Sequence, residues 1–234
     1  MLKPLLIGLT VLSLSLGLTA QAEAQIPFDI NVGLKGGANF SGVTKPGNKE
    51  LNGQAYSTFT YPGFFGVGWS LGAFIEPRIL ELVGLEIGFI YEATNGSGDI
   101  NDYPLTMYSN DLAIPIHVRV ATPGMIKFVA GAGVDVIVPL SQDQKKAAAF
   151  VGLEYETLER TATTYFGFDL GIEIDAVVVK IPIEARGRWN PSMEDTLDPR
   201  VKIDSTNGNY YATYPNWGLQ GEFMVGVVYP IDIL

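Results

Sequence analysis

The stretch FGFDLGIEID, Phe166 to Asp175, alternates without a slip. Phe166, Phe168, Leu170, Ile172 and Ile174 share one parity, and Gly167, Asp169, Gly171, Glu173 and Asp175 share the other. Period two marks a β-strand with one apolar and one polar face. In a soluble β-protein the apolar face turns to the core, whereas in a membrane barrel it turns to lipid. The alternation is compatible with both, so the choice rests on the rest of the chain.

Seven further segments alternate in the same way, over Phe28–Lys35, Phe65–Glu76, Leu85–Glu92, Asp111–Val120, Ile126–Val138, Val177–Arg188 and Trp217–Tyr229. Their connections alternate as well. Short joins are expected near Arg78–Leu82, at Thr122–Met125 and around Asp175–Val178. Long, Gly-, Asn-, Asp-, Thr- and Tyr-rich stretches fall at 42–63, 95–107, 141–161 and 190–214. Short turns at one end and long loops at the other are the layout of an outer-membrane barrel, and an even strand number puts both termini at the short-turn end.

Composition narrows the function classes. The 234 residues suit a single domain. The chain has no cysteine, which excludes disulfides, thiol catalysis, Cys-type zinc sites and a lipoprotein anchor. A net charge of −10 disfavours nucleic acid as a partner. Only 17% of residues are charged and mean hydropathy is +0.20, oily for a soluble acidic protein. Residues 1–24 have a basic start at Lys3, an apolar run from Leu5 to Ala20 and small residues at Ala20, Ala22 and Ala24. This predicts a cleaved signal peptide followed by a barrel domain over 25–234. No later apolar run approaches the length of a membrane helix, so a membrane location requires a barrel.

The polar face decides between the two readings. It is heavy in glycine, at Gly66, Gly68, Gly72, Gly131, Gly133, Gly167 and Gly171. Glycine weakens a strand exposed to water but suits the crowded interior of an eight-stranded barrel. The apolar face carries no charge from Ile126 to Val138, and aromatics at Phe28, Phe40, Phe65, Tyr91, Tyr108, Trp217 and Tyr229 resemble interfacial girdles. The apolar face is therefore expected to meet lipid. A soluble periplasmic barrel with that face inward is the competing reading. Pro115 and Pro182 fall mid-strand, where each removes a ladder hydrogen bond, and a bulge or local irregularity is expected at each. The end, VVYPIDIL, departs from the terminal aromatic common in such barrels; Tyr229 is expected to serve, followed by a short tail.

Three stretches resemble the PorT-like outer-membrane β-barrel domain family: GLKGGANFS (Gly33–Ser41), LAIPIHVRV (Leu112–Val120) and FVAGAGVDV (Phe128–Val136). The resemblance implies an eight-stranded outer-membrane barrel, with proline in its middle strand. It implies no catalytic residues.

Several constellations carry candidate chemistry. Glu86, Glu92, Asp111, Asp135, Asp169, Glu173, Glu184 and Glu222 are expected to share the lumen with Lys35, Arg119, Lys127, Lys180, Arg186 and Arg188. They form either an ion path or, as favoured by the narrow bore, a paired plug. His117, the only histidine, is expected to be a structural lumen residue, not the base of a Ser–His hydrolase. NGSGDINDY (Asn95–Tyr103) offers oxygen ligands without EF-hand spacing and is expected to be a solvated loop. NGNYYATYPNW (Asn207–Trp217), with Tyr56, Tyr61, Tyr103 and Tyr108, reads either as a ligand-binding surface or as a girdle rising into ordinary loops.

The reading is an all-β, eight-stranded antiparallel up-and-down transmembrane β-barrel in the outer membrane. It is monomeric, has outer-membrane lipid as its partner and uses neither cofactor nor metal. Its role is structural or surface-interacting, with a ligand at the Tyr-rich loops as one option and no catalysis. The alternatives are a small pore or binder of a small hydrophobic molecule, and a lipid-modifying enzyme.

Overall fold

The computed structural model describes residues 28–43, 50–51, 54–55, 64–100, 103–143, 162–176, 178–190 and 218–233. Residues 1–24, expected to be a signal peptide, most of the stretches 42–63, 141–161 and 190–214, and Tyr56, Tyr61 and Trp217 lie outside the described residues.

Eight strands form one closed barrel: β1 (Phe28–Val43), β2 (Phe64–Ile79), β3 (Val83–Ile100), β4 (Tyr103–Ala121), β5 (Ile126–Asp143), β6 (Thr163–Ala176), β7 (Val179–Trp189) and β8 (Leu219–Ile233). Each pairs antiparallel with its sequence neighbours, and β1 closes on β8. Glu50–Leu51 and Gln54–Ala55 form a separate two-residue ladder. Phe28 pairs with both Ile79 and Ile233, so both ends of the barrel sequence lie at the short-turn end, as expected.

Each alternating segment has the parity that the sequence predicts, with the apolar face outward. Phe166, Phe168 and Leu170 are exposed, while Asp169 and Glu173 between and beyond them are buried. The same inversion holds on every strand: Leu34, Trp69, Phe89, Val118, Phe128 and Phe223 face out. No charged side chain described on any strand has outward parity. Backbone pairing is internal to the wall, as a non-aqueous surrounding requires.

The three short joins are tight turns. Leu82 N–H donates to Ile79 C=O at 3.0 Å, with Leu80 at φ 55° and Glu81 at φ 58°. Two consecutive left-handed residues make a type I′ turn, which favours Asn-Gly; here non-glycine side chains bear about 1–2 kcal/mol of strain each. In the second turn Gly124, at φ 121°, supplies the conformation that L-residues avoid.

Two expectations need correction. The stretch 95–107 is not a loop: β3 runs to Ile100 and β4 starts at Tyr103, paired to each other up to that end. Beyond Ser97 and before Tyr108 the β3–β4 ladder alone overrides the low strand propensity of its Asn, Gly and Asp residues. The residues after Tyr229 are not a tail, because β8 continues to Ile233, paired with Phe28. At the prolines the expected irregularity is present, as a gap in one ladder and not as a bulge. Pairing of β3 with β4 passes from Ile87↔Ile116 to Ile90↔Ala113 in unchanged register, skipping Gly88 and Pro115. Likewise β7 and β8 pass from Ile183↔Val225 to Lys180↔Val228, skipping Pro182 and Gly226. In each case the other ladder of the proline strand is unbroken, since one missing N–H affects one neighbour. The register shift sits elsewhere, between Asn110 and Asp111, where Asp111 pairs with Pro139.

Glycine on the inner face makes room for these groups. A Cβ on Gly88 would lie 3.1 Å from Pro115 Cγ, and one on Gly167 would collide with His117 Nε2 and Asp135 Oδ2. Gly167→Val should therefore destabilise the barrel by about 1–3 kcal/mol, the cost of overpacking. The outward-facing Ala132→Val should stay within about 0.5 kcal/mol. Urea unfolding in lipid vesicles, followed by tryptophan emission, measures both.

Candidate functional site: the charged lumen

All fourteen predicted lumen charges are inward and buried. The strands bring them together in three tiers along the bore.

In the middle tier Glu86 accepts from three cations. Lys35 Nζ lies 2.6 Å from Oε1, Arg119 Nη1 lies 2.6 Å from Oε2, and Arg186 Nη2 contacts Oε1. Glu184 completes the group through Lys35 at 3.4 Å, Arg186 Nε at 3.2 Å and a close contact with Arg119. Lys35 Nζ also sits 4.1 Å from the Phe74 ring centroid, a cation–π contact. Beside this group His117 is flanked by two carboxylates: Nδ1 is 2.7 Å from Asp169 and Nε2 is 3.2 Å from Asp135. Arg119 Nε reaches Asp169 Oδ1 at 3.2 Å. Both ring nitrogens of His117 thus face carboxylates, the arrangement of a structural donor.

The lower tier, near the short turns, joins Arg78 to Glu76 at 2.8 Å and to Glu173 at 2.9 Å. Lys127 Nζ lies 2.5 Å from Glu81 and 3.2 Å from Asp175. Its hydrogen bond holds the Glu81 carboxyl below the usual carboxylate range. Lys180 donates to Asn31 Oδ1 at 3.1 Å. Toward the long-loop end, Arg188 contacts Glu92 and lies 3.1 Å from Glu222, which also accepts from Ser70 Oγ at 2.8 Å. Ser70 accepts from Asn39, which in turn accepts from Thr94, so a neutral hydrogen-bond chain continues the plug upward.

Apolar side chains fill the remaining bore: Ile90, Ala113, Ile137, Tyr165 and Met224 form one buried cluster. Next to it a cavity of ≈ 10 Å³ is lined by Asp135, Arg188, Gln220 and Glu222 among others. It has room for about one water. Gln220 Oε1, which borders it, has no hydrogen-bond partner among the described residues.

Two lumen charges escaped the sequence reading. Glu76 was assigned to the polar parity without a partner, and Arg78 to the following join. The signal was present: parity runs on through Pro77, and β2 ends only at Ile79. The calcium-loop stretch Asn95–Tyr103 lies in the β3–β4 hairpin. Among the described residues no group of three or more His, Asp or Glu side chains is placed to hold a metal. Of the tyrosines, Tyr108 is exposed on the outer face of β4. The side chain of Tyr103 and the stretch Asn207–Trp217 lie outside the described residues.

Because Glu86 answers three buried cations, Glu86→Gln should destabilise by about 3–5 kcal/mol, the penalty for leaving buried charge unmatched. Adding Arg186→Met should recover part of that loss. A double-mutant cycle by urea titration measures the coupling.

Neither a family model nor a curated protein matches this chain. Solved structures do. The outer membrane protein OprG from Pseudomonas aeruginosa aligns with a TM-score of 0.54 at 11% identity, over 87% of this chain and 96% of that one. Neisserial surface protein A (NspA) aligns with a TM-score of 0.38 at 14% identity, over 86% of this chain and 96% of that one. The fold is the closed, eight-stranded antiparallel barrel of outer-membrane β-barrel structures.

Proposed function

We propose that the protein is a monomeric integral outer-membrane β-barrel, exported by its N-terminal segment, that acts at its long-loop end and neither conducts through its lumen nor catalyses a reaction. One observation carries the reading: among the described side chains the outer wall bears no charge, while the strand charges turn inward into ion pairs. In water this molecule would expose Phe65, Trp69, Phe89, Phe128, Phe166 and Phe168 together, a patch far beyond what soluble proteins tolerate. In a bilayer the same wall is matched to its solvent.

Membership of the PorT-like family belongs to this proposal. Its support is that the three resembling stretches, Gly33–Ser41, Leu112–Val120 and Phe128–Val136, fall within β1, β4 and β5. The non-conducting lumen is supported by the three tiers of paired charge and by the water-sized cavity. The absence of catalysis is supported by the burial of His117 in the bore, with Nδ1 hydrogen-bonded to Asp169 and Nε2 facing Asp135 at 3.2 Å.

The membrane reading predicts that Phe168→Arg, at mid-wall, costs about 2–4 kcal/mol in vesicles. Wild-type protein from the membrane fraction should shift in gel mobility on boiling. Recovery as a soluble periplasmic protein without that shift would overturn the reading. For the plug, reconstitution into planar bilayers should give a silent membrane under applied voltage. Steady conductance steps would place function in the lumen and favour the small-pore alternative.

A further inference from the structure

On β3 and β4 the described outer face changes character at one level. On β3 and β4 it is uninterruptedly apolar from Val83 to Phe89 and from Leu112 to Val120. Then Tyr91 donates through its hydroxyl to Asn110 Oδ1 at 2.8 Å, and Asn110 Nδ2 donates to Ser141 Oγ at 2.7 Å. Above this line Asn95, Ser97 and Thr106 are exposed on the outer face. This outward hydrogen-bonded line marks the upper edge of the apolar belt on β3 and β4, while on the neighbouring β2 Val67 and Phe65 stay exposed beside Asn95 and Ser97; the Trp69–Tyr91 ring pair, 5.3 Å between centroids, stands beside the line.

The lower edge follows from length. A strand of a tilted barrel climbs about 2.5 Å per residue along the barrel axis. From Tyr91 down to Leu82 is then about 23 Å, and from Asn110 down to Ala121 about 27 Å. An outer-membrane belt is about 25 Å tall. The belt therefore ends at the short turns themselves, with no polar collar left beneath it.

The turns have the composition this position demands. Leu80 is 51% exposed, Met125 75% and Val178 64%, one large apolar side chain projecting from each turn. They continue the exposed wall through Ile79, Val83 and Ile126. The only charge among the described turn residues, Glu81, is neutralised by Lys127 at 2.5 Å. The tips are fixed to one another by backbone: Ala121 N–H donates to Leu82 C=O at 2.7 Å, and Asp175 N–H to Met125 C=O at 2.9 Å. Leu80 holds a left-handed conformation in which Asn or Gly would relax the turn.

We propose that the three short turns form an apolar platform immersed in the lipid of the inner leaflet, at the boundary of acyl chains and headgroups, with Leu80, Met125 and Val178 as its anchors. The platform rests on the membrane reading above, and fixes how deep the barrel sits.

The absence of cysteine makes the test clean. Leu80→Cys, Met125→Cys and Val178→Cys are each labelled with a small fluorophore, alongside Phe168→Cys at mid-wall and Asn95→Cys above the polar line. The full barrel is reconstituted in phosphatidylcholine vesicles with iodide on both sides, or with nitroxide-bearing lipid. The expected result is loss of emission at the three tips and at residue 168 with nitroxide lipid, and at residue 95 with iodide. Tips quenched by iodide and not by nitroxide lipid, with residue 168 still quenched by lipid, would overturn the platform and leave the membrane reading standing. Residue 168 escaping lipid quenching would overturn both. Tips open to iodide in vesicles yet shielded in native outer membranes would replace lipid with a protein partner and overturn the platform as stated.

Discussion

Glu86 lies fully buried among Lys35, Arg119 and Arg186, and much of the barrel is arranged around that fact. Eight strands enclose a space just wide enough for side chains. Charges placed there cannot reach bulk water, so each must find its counterion across the bore, and a lone one would cost several kcal/mol. Described lumen residues include nine buried carboxylates, seven buried Lys or Arg and one His, close to balance. Long cations on one strand therefore meet carboxylates on strands far away in sequence, as Arg78 does with Glu173 and Arg186 with Glu86. The interior glycines follow from the same crowding. The Gly131 position abuts the Asp169 carboxylate and the Gly133 position abuts His117, so a side chain at either would displace the network.

The wall obeys a second constraint, since a closed barrel has no edge on which to place an unpaired backbone group. Pro115 and Pro182 violate it, and the structure confines each violation to two residue pairs of one ladder. Glycine stands opposite each ring, at Gly88 and Gly226, with Pro Cγ 3.1 Å from where a Cβ would be. A ring packed inward against glycine keeps register, so the apolar parity outside is not disturbed. A one-residue slip at either proline would have turned the charged face to the outside.

Parity was legible in the sequence because it is local: period two over ten residues needs no knowledge of partners. Sidedness was legible because glycine-rich polar faces and charge-free apolar faces make sense in only one solvent arrangement. What stayed hidden is non-local. Glu76 falls on the polar parity of its own segment, whereas the lumen position of Arg78 depends on β2 continuing past Pro77, which pairs with β1 at Ile30. The β3–β4 hairpin through 95–107 carries the Asn, Gly and Asp of an ordinary loop, and beyond Ser97 its strand conformation comes from the β3–β4 ladder alone. The tiered pairing itself depends on barrel shear, which no single segment encodes. The sequence proposals for the Tyr-rich stretch from Asn207 concern residues outside those described.

These constraints confine where an aqueous ligand can meet the molecule. The side wall presents mainly Leu, Val, Ile and Phe, with a few Trp and Tyr, and among the described residues no charge over the belt. The bore presents charges that mostly face one another, and its described cavity, beside Gln220, is water-sized. At the lower rim the turns carry apolar tips and one neutralised acid. Only the upper rim combines exposed polar side chains, at Asn95, Ser97, Thr106 and Ser141, with long connecting segments. A rigid plug below would hold that rim in a fixed geometry, so that loops mounted on it lose less freedom when they engage a partner. Stability in the lumen and recognition at the rim would then be two consequences of one charge network.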